Sequence, residues 1–504
     1  MENTTQTSED IEQSVPLKDG QEKPLSAYQK LKIAKDNVTV EPVLFSFMVA
    51  SMISVVGFAN LNLDKACRVN LGYNDSVCTA LMLRQRENLG DAEVSVQKLV
   101  ASVEAWRGII ATFFPIITMI FLGAWSDKMG KRKVCLLLPI GGGLASSVMN
   151  IISTHFFHIP VELTTFFSTV CTSIGGSWYV MYLGTYSYMA EITSERSRTF
   201  RIGLLTLCLS VSLPMIGMGV SGFILRHTGY YGVFGITTTL HLLNFLYVWF
   251  RVKENGRENN SSKFKKNQSG CERFLTQFFN RQSVSDLLQL LLKRRPNNQR
   301  MKLGLVMIAS CLVSGPIWGE MSVVYIMYRY RFNWDEIKYG IFASYNFVVH
   351  TIGTLFAMSL LANKFKMDDS SLGIIAMLSR ILGALVRALA RNDLEIYLAP
   401  VAEFFDGMMI IALRAMASKF VTSQELGKVF SLVSVLEVVM MLVLSPVYSR
   451  VYIATLAVLP GAAYFITALA GLPAVFIFIW FYREYKRELR DAALSPDCTE
   501  KVIK

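Results

Sequence analysis

The stretch Gly123-Ala124-Trp125-Ser126-Asp127-Lys128-Met129-Gly130-Lys131-Arg132-Lys133 joins two apolar runs, 105–126 and 134–153. Each part of it has a physical job at the edge of a bilayer. Gly123 removes a side chain where one helix ends, so a neighbour can come close. Gly130 lets the chain turn at once. Asp127 stands where it can meet the N-terminus of a neighbouring helix or an arginine from another. The cations Lys131, Arg132 and Lys133 hold the loop at the cytoplasmic face. A loop this short and this basic, between two runs this apolar, makes the chain a helical membrane protein and fixes the side on which the loop lies.

The composition agrees. Of 504 residues, 52% are hydrophobic and 17% charged, and the mean hydropathy is +0.38. A soluble domain carries about 25% charged residues. Twelve apolar runs occur: 42–63, 105–126, 134–153, 161–189, 201–225, 230–251, 303–328, 339–362, 371–390, 395–417, 428–449 and 460–482, spans 1 to 12 below. At about 20 residues each they need about 240 residues. These long continuous runs exclude an outer-membrane barrel, whose segments alternate. The net charge of +12 does not point to nucleic acid, because the cations sit in loops. Besides Lys131 to Lys133, these are Arg196, Arg198 and Arg201 after span 4, Lys263, Lys265, Lys266, Lys293, Arg294 and Arg295 in the central loop, and Arg483, Lys486, Arg487 and Arg490 after span 12. If the spans alternate in direction, all these loops lie on one side. The reading predicts a cytoplasmic tail 1–41 without a cleavable leader, a six-helix bundle 42–251 with an extracellular or luminal loop 64–102, a cytoplasmic loop 252–302, a second six-helix bundle 303–482 and a cytoplasmic tail 483–504.

The halves echo each other. Thr193-Ser194-Glu195 leads into Arg198-Thr199-Phe200 after span 4, and Thr422-Ser423-Gln424-Glu425 leads into Lys428-Val429-Phe430 after span 10, an offset of 229 residues from Thr193 to Thr422. A duplicated six-helix unit, together with G-x-x-x-D-x-x-G-x-R-K between spans 2 and 3, resembles the major facilitator superfamily, in which two bundles rock about a central site. The resemblance implies an all-α fold of 12 transmembrane helices. It also implies a conformational latch, made here by Gly123, Asp127, Gly130 and Arg132, with Glu191 and Arg198 in the stretch after span 4.

Further stretches narrow the likeness. Val40-Glu41-Pro42 opens span 1, and Leu71-Gly72-Tyr73-Asn74 lies in the 64–102 loop. The run from Ala190-Glu191 to Arg198-Thr199-Phe200-Arg201 follows span 4, and Arg414-Ala415-Met416-Ala417-Ser418-Lys419 ends span 10. These resemble solute carrier family 46, the proton-coupled folate transporters and their relatives, over residues 40–485. The resemblance implies proton-coupled import of a bulky organic anion: a folate, a muropeptide, a cyclic dinucleotide or a sulfated steroid. It also implies a substrate-site role for Arg414. The chain departs from the folate branch at Pro316, Thr206 and Pro460, where that branch has a histidine, a glutamate and a lysine. At Asn333 it lacks that branch's external cysteine.

Ionisable residues inside spans are expensive and mark cavities or partners. Arg414 offers a planar fork to a carboxylate or phosphate, or else snorkels to the interface. Glu320 in span 7, Glu403 and Asp406 in span 10, Glu437 in span 11 and His350 in span 8 are the expected proton-coupling groups, because burial disfavours a charged carboxylate. Static ion pairs with Arg380 or Arg387 of span 9 are the alternative. Arg387 reads as interfacial. Glu403 and Asp406, three apart, are expected on one helical face. Glu320 is preferred as carrier and as a substrate contact, since spans 1, 4, 7 and 10 line the cavity in the superfamily. Span 4 carries Trp178, Tyr182 and Tyr186 four apart, a stripe that either stacks a flat ligand or packs. His241 in span 6 reads as a bonded core histidine.

In the 64–102 loop, Cys67 and Cys78 are expected to pair, the other six cysteines lying elsewhere. Asn74-Asp75-Ser76 is the one N-glycosylation sequon that the topology exposes, against those at Asn3, Asn37, Asn259, Asn260 and Asn267. Tyr28-Gln29-Lys30-Leu31 fits an endocytic signal. The sequence carries no HExxH, GxSxG, P-loop or paired CxxC motif, so no enzyme, cofactor or metal is expected, and no nucleic-acid partner. A transporter in the plasma or endolysosomal membrane is the first reading. A receptor or scaffold on the same fold is the second.

Overall fold

Hydrocarbon offers no water to the backbone, so each apolar run has to close its own hydrogen bonds as a helix. A computed structural model of the chain describes residues 39–85, 90–129, 131–192, 205, 208, 217–254, 298–421 and 423–493. Among these the regular structure is helical throughout, with no strand. The helices are α1 Glu41–Lys65, α2 Asp75–Met82, α3 Gly90–Met129, α4 Lys133–His155, α5 Val161–Ile174, α6 Ser177–Ile192, α7 Gly219–Arg251, α8 Gln299–Phe332, α9 Glu336–Ala357, α10 Asp369–Leu389, α11 Asp393–Ala402, α12 Met408–Lys419, α13 Ser423–Thr455 and α14 Ala463–Ala493.

Among the described residues, nine helical segments are long and apolar enough to cross a bilayer. Spans 4 and 10 are not among the nine because each is broken in two. Span 4 breaks between α5 and α6, where Gly176 takes φ +77° and Ser177 φ +51°, left-handed values that glycine adopts without steric cost. Span 10 breaks between α11 and α12, in a run of turns over residues 403–407. The offset that relates the two sequence echoes carries Gly176 to Phe405, inside the second break, so both halves are interrupted at the same place.

A broken helix exposes carbonyls, and in a membrane these have to be covered by protein. In span 10 the cover is α9. Its Gly353 lies so close to the break that a Cβ there would stand 1.7 Å from the Phe404 carbonyl oxygen. Packing falls into two groups, α1 with α3–α7 and α8–α14, joined by α3 along α13 and by α7 along α9. In the second group, side-chain caps set three helix starts. Asp335 accepts from Lys338 N at 2.8 Å, Asp368 from Ser371 N at 3.1 Å and Asn392 from Glu395 N at 3.0 Å, each contributing about 1 kcal/mol.

The stretch 64–102 is mostly helix rather than open loop. It holds α2 and the first turns of α3, which at 40 residues is about 60 Å long and outruns a hydrocarbon core of about 30 Å. The sequence reading starts this span at residue 105 because Asp91, Glu93, Lys98 and Glu104 interrupt the apolar pattern. The helix continues through them. Cys67 and Cys78 are joined, with Cα atoms 5.8 Å apart. Arg68 ties the end of α1 to α2 through Asp64 (2.6 Å), Asp75 and Thr79 (2.9 Å). Asn74 is exposed and caps α2 through Asp75 N. The fully buried Lys65 ammonium donates to the carbonyls of Phe157 and Ile159, both at 3.0 Å, just beyond the end of α4, where a cation meets the negative end of the helix dipole.

Gly353→Ala is expected to destabilise the protein by about 1–3 kcal/mol, the range for overpacking a tight contact. Thermal unfolding in detergent checks it, with Gly304→Ala, which meets open space, as the control expected to leave the midpoint in place.

Candidate functional site

Arg414 projects from α12 into a small cleft between spans 7, 10 and 11, lined by Ser310, Ser314, Leu413, Val433 and Glu437 among others. The lining residues come from the Gln299 half of α8, from along α12 and from the Ser423 half of α13, so the cleft lies on the side of mid-depth that carries the 252–302 loop. Among the described residues neither the Arg414 guanidinium nor the Glu437 carboxylate makes a hydrogen bond or an ion pair. A cation and an anion held in one cleft without partners can receive a ligand's carboxylate and a proton, respectively.

The aromatic stripe of span 4 faces the middle of the molecule. Trp178 meets Trp318 of α8 edge to face, ring centroids 5.0 Å apart. Tyr182 points its hydroxyl toward Met48 Sδ of α1 at 3.9 Å, and Tyr186 packs on the core that lines α1 and α4. Tyr179, outside the predicted stripe, donates to Met441 Sδ of α13 at 2.8 Å. The stripe therefore packs against spans 1 and 7, and its neighbour Tyr179 against span 11.

Glu320 is placed elsewhere. Its Oε1 takes Arg380 Nη2 at 2.9 Å and the Thr467 hydroxyl, and it is not among the residues that line the Arg414 cleft. Glu403 and Asp406 both stand in the run of turns over residues 403–407 and both face α10. Each reaches one of two arginines seven residues apart on that helix. Arg380 Nη1 stands 3.3 Å from Asp406 Oδ2. Arg387 makes a two-pronged pair with Glu403, Nε to Oε1 at 3.0 Å and Nη2 to Oε2 at 2.6 Å. Arg387 also donates to Tyr328 Oη (3.0 Å) and Asn346 Oδ1 (2.9 Å). At 6% exposure it is a core residue, not the interfacial one expected; its carboxylate partner in span 10 lets it stay buried. His350 Nε2 approaches Asp406 Oδ2 to 3.5 Å. His241 is buried among apolar neighbours, its ring 5.6 Å from that of Phe47.

The two halves meet at the opposite end from the cleft. Asn60 of α1 donates to Tyr325 Oη of α8 and accepts from Arg329 Nη1 at 2.6 Å. Arg84 donates to the Arg329 carbonyl and pairs with Glu93 at 3.2 Å, and Asn333 donates to the Arg84 carbonyl at 3.1 Å. Arg226 of α7 stands 3.5 Å from Asp335. Of these residues only Asn333 was singled out in the sequence, and there for the cysteine it replaces. The apolar run of span 7 stops at residue 328, one short of Arg329, whereas the helix runs on to Phe332; a fully buried arginine there has no apolar signal to announce it.

Of the expected latch, Gly123 and Arg132 are described. A Cβ on Gly123 would stand 3.1 Å from Leu183 of α6, and Arg132 Nη1 donates to Ser126 Oγ at 3.2 Å, which in turn donates to the Lys131 carbonyl at 2.9 Å. Gly130, Arg198 and the side chains of Asp127 and Glu191 lie outside the described residues.

Two groups of membrane helices, closed together at one end and holding a cleft toward the other, define a multi-pass membrane protein of the two-bundle carrier class. Residues 101–443 match the Major Facilitator Superfamily, and the chain belongs to it. Its relatives include a Drosophila melanogaster protein named "Probable peptidoglycan muropeptide transporter", of solute carrier family 46, 24% identical over 437 residues, 84% of this chain and 81% of that protein. The proton-coupled folate transporter of Rattus norvegicus is 25% identical over 419 residues, 81% of this chain and 84% of the relative. Among solved structures, a peptide transporter in complex with sulfate superposes with a TM-score of 0.59 at 11% identity, covering 89% of this chain and 95% of that one. That likeness is one of fold.

Arg329→Ala removes a charge-assisted bond at the closed end, of about 1.5–3 kcal/mol. It is expected to shift the population toward opening there by about tenfold or more. Spin labels at Leu71 and Lys338, read by electron–electron distance measurements, would show a longer-distance population that the parent protein lacks.

Proposed function

We propose that this chain is a secondary transporter that carries a bulky organic anion together with protons, by alternating exposure of a site between its two bundles. The 64–102 end faces the extracellular or luminal side and the 252–302 end the cytosol, as the distribution of cations requires. The closure at the first end and the cleft at the second are then the two parts of an inward-facing state. The single observation that carries this reading is the unpartnered Arg414 guanidinium in the cleft, with Glu437 on its wall. An arginine in a membrane helix is expensive, and a site that keeps one free of a fixed carboxylate is built to take an anion that comes and goes.

The relatives' names narrow the solute. Folates and muropeptides are unlike in shape, but both are bulky and both carry carboxylates, which is what a single arginine in a cleft selects. Helix α6 brings Trp178 and Tyr182 to the middle of the molecule, where a flat or sugar-like body attached to that carboxylate would lie.

Uptake of labelled antifolate and labelled muropeptide by cells expressing the protein, at about pH 5.5 and about pH 7.4, on either side of the histidine range, tests the reading. Acid-stimulated, saturable uptake of one of them is expected. Arg414→Ala should lower its kcat/KM at least about tenfold, or about 1.4 kcal/mol. Uptake unaffected by that substitution would remove Arg414 from the site. No uptake of any organic anion, with the protein confirmed on the assayed membrane, would favour a receptor on a carrier fold.

A further inference from the structure

Six ionisable side chains are packed together in the second half of the molecule: Glu320 on α8, His350 on α9, Arg380 and Arg387 on α10, and Glu403 and Asp406 in the break of span 10. Arg387 and Glu403 satisfy each other in the two-pronged pair described above. The other four form a chain, Glu320–Arg380–Asp406–His350, with contacts of 2.9, 3.3 and 3.5 Å in that order. Counting every group in its ordinary state at neutral pH, two cations face three anions. The cluster is then one positive charge short, and an uncompensated charge surrounded by protein and hydrocarbon is unfavourable.

The deficit can be located. Glu320 has Arg380 and Thr467, and Glu403 has both prongs of Arg387. Asp406 has only a shared Arg380 on Oδ2, and its Oδ1 is buried with no hydrogen-bond partner among the described residues. The one group beside Asp406 able to take up a proton near neutral pH is His350; arginine keeps its proton throughout. His350 is also the most exposed member. Its side chain is 41% exposed, against 7–13% for the other five.

We propose that His350 is the residue on which the coupling proton is bound, with Asp406 as its counter-ion. Glu320 then serves to hold Arg380 rather than to carry the proton. This rests on the proton-coupled reading above and names the proton site within it. Protonation adds the missing charge and turns the contact with Asp406 into an ion pair. That ties α9 to the break from which α12 starts, and Arg414 is eight residues beyond Asp406 on that helix. Proton binding at His350 thereby acts on the segment that aims the anion-binding arginine.

The surroundings supply no competing charge at this depth among the described residues. On α9 itself the nearest charged residues are Lys338 at one end and Lys364 just past the other. Helix α7 meets α9 at its outer end, where it brings Arg226 to Asp335. Helix α11 brings Asp393, which is taken by Lys338. Across the break lies Asp406, and behind it Arg380, Glu320, Arg387 and Glu403.

The test uses the full chain reconstituted in proteoliposomes. One arm measures uptake of labelled antifolate and labelled muropeptide as an acid-to-neutral ratio. The other follows the imidazole signals of histidine-labelled protein by NMR, with His350 assigned as the signal missing from His350→Gln. The expected results are an acid-to-neutral ratio near one in His350→Gln with solute exchange retained, a ratio still above one in Glu320→Gln, and a His350 signal that titrates between about pH 5 and pH 8. Asp406→Asn should move both the uptake profile and that signal about one pH unit or more toward acid. This variant carries the test by itself if His350→Gln does not fold. Acid stimulation intact in His350→Gln, or lost in Glu320→Gln alone, overturns the proposal. So does an Asp406→Asn profile that coincides with the parent's. If no solute is taken up by the parent protein, the transport reading fails and the NMR arm still decides the site: a titrating His350 signal that responds to Asp406→Asn supports it, and one that stays flat across the range overturns it.

Discussion

The pair between Arg387 and Glu403 fixes the geometry of the second bundle. Both carboxylate oxygens of Glu403 face the guanidinium, both groups are buried, and removing either partner would leave a buried charge at a cost of about 3–5 kcal/mol. Glu403 is the residue on which α11 ends. Two turns along α10, Arg380 meets Asp406 through a single oxygen at 3.3 Å. Helix α10 thus grips the interruption in span 10, residues 403–407, at Glu403 and at Asp406. The start of α12, and with it the place of Arg414, follows from that grip.

The two ends of the molecule are held by different chemistry. At the 64–102 end the halves are joined by hydrogen bonds that need no water: Asn60 with Tyr325 and Arg329, and Arg84 with the Arg329 carbonyl. At the other end, Arg414 and Glu437 stand in a cleft. Bonds of the first kind are individually modest and reversible, which suits a closure that has to open in each cycle. The interruption of spans 4 and 10 at equivalent places gives each bundle a joint near mid-depth, where a half-helix can turn without dragging the rest of its span.

Much of the site was visible as residue types and little of it as partners. An arginine, a histidine or a carboxylate inside an apolar run stands out, and Arg380, Arg387, Glu320, Glu403, Asp406 and His350 all did. Who pairs with whom could not be read, because the partners come from four helices and their encounter depends on the rotation of each about its own axis. Glu403 and Asp406 show the difference. Their spacing of three puts both toward α10, but it does not say that each meets a different arginine there. Arg329 and Asn60 were missed for another reason: one lies just past an apolar run and the other is a single amide within one.

The sequence by itself determined that the chain crosses a membrane many times, which of its faces is rich in cations, and that its halves are related. These follow from hydrophobic length, from loop charge and from a repeated motif, all of them local to a stretch of chain. Only the tertiary structure decided that Glu320 is held by Arg380 instead of facing the cleft, that Arg387 is core, and that Arg414 makes no ion pair among the described residues. In a membrane interior the charge balance of a group is set by what other helices bring within a few ångströms of it, and that is a property of packing, which no single stretch of sequence contains.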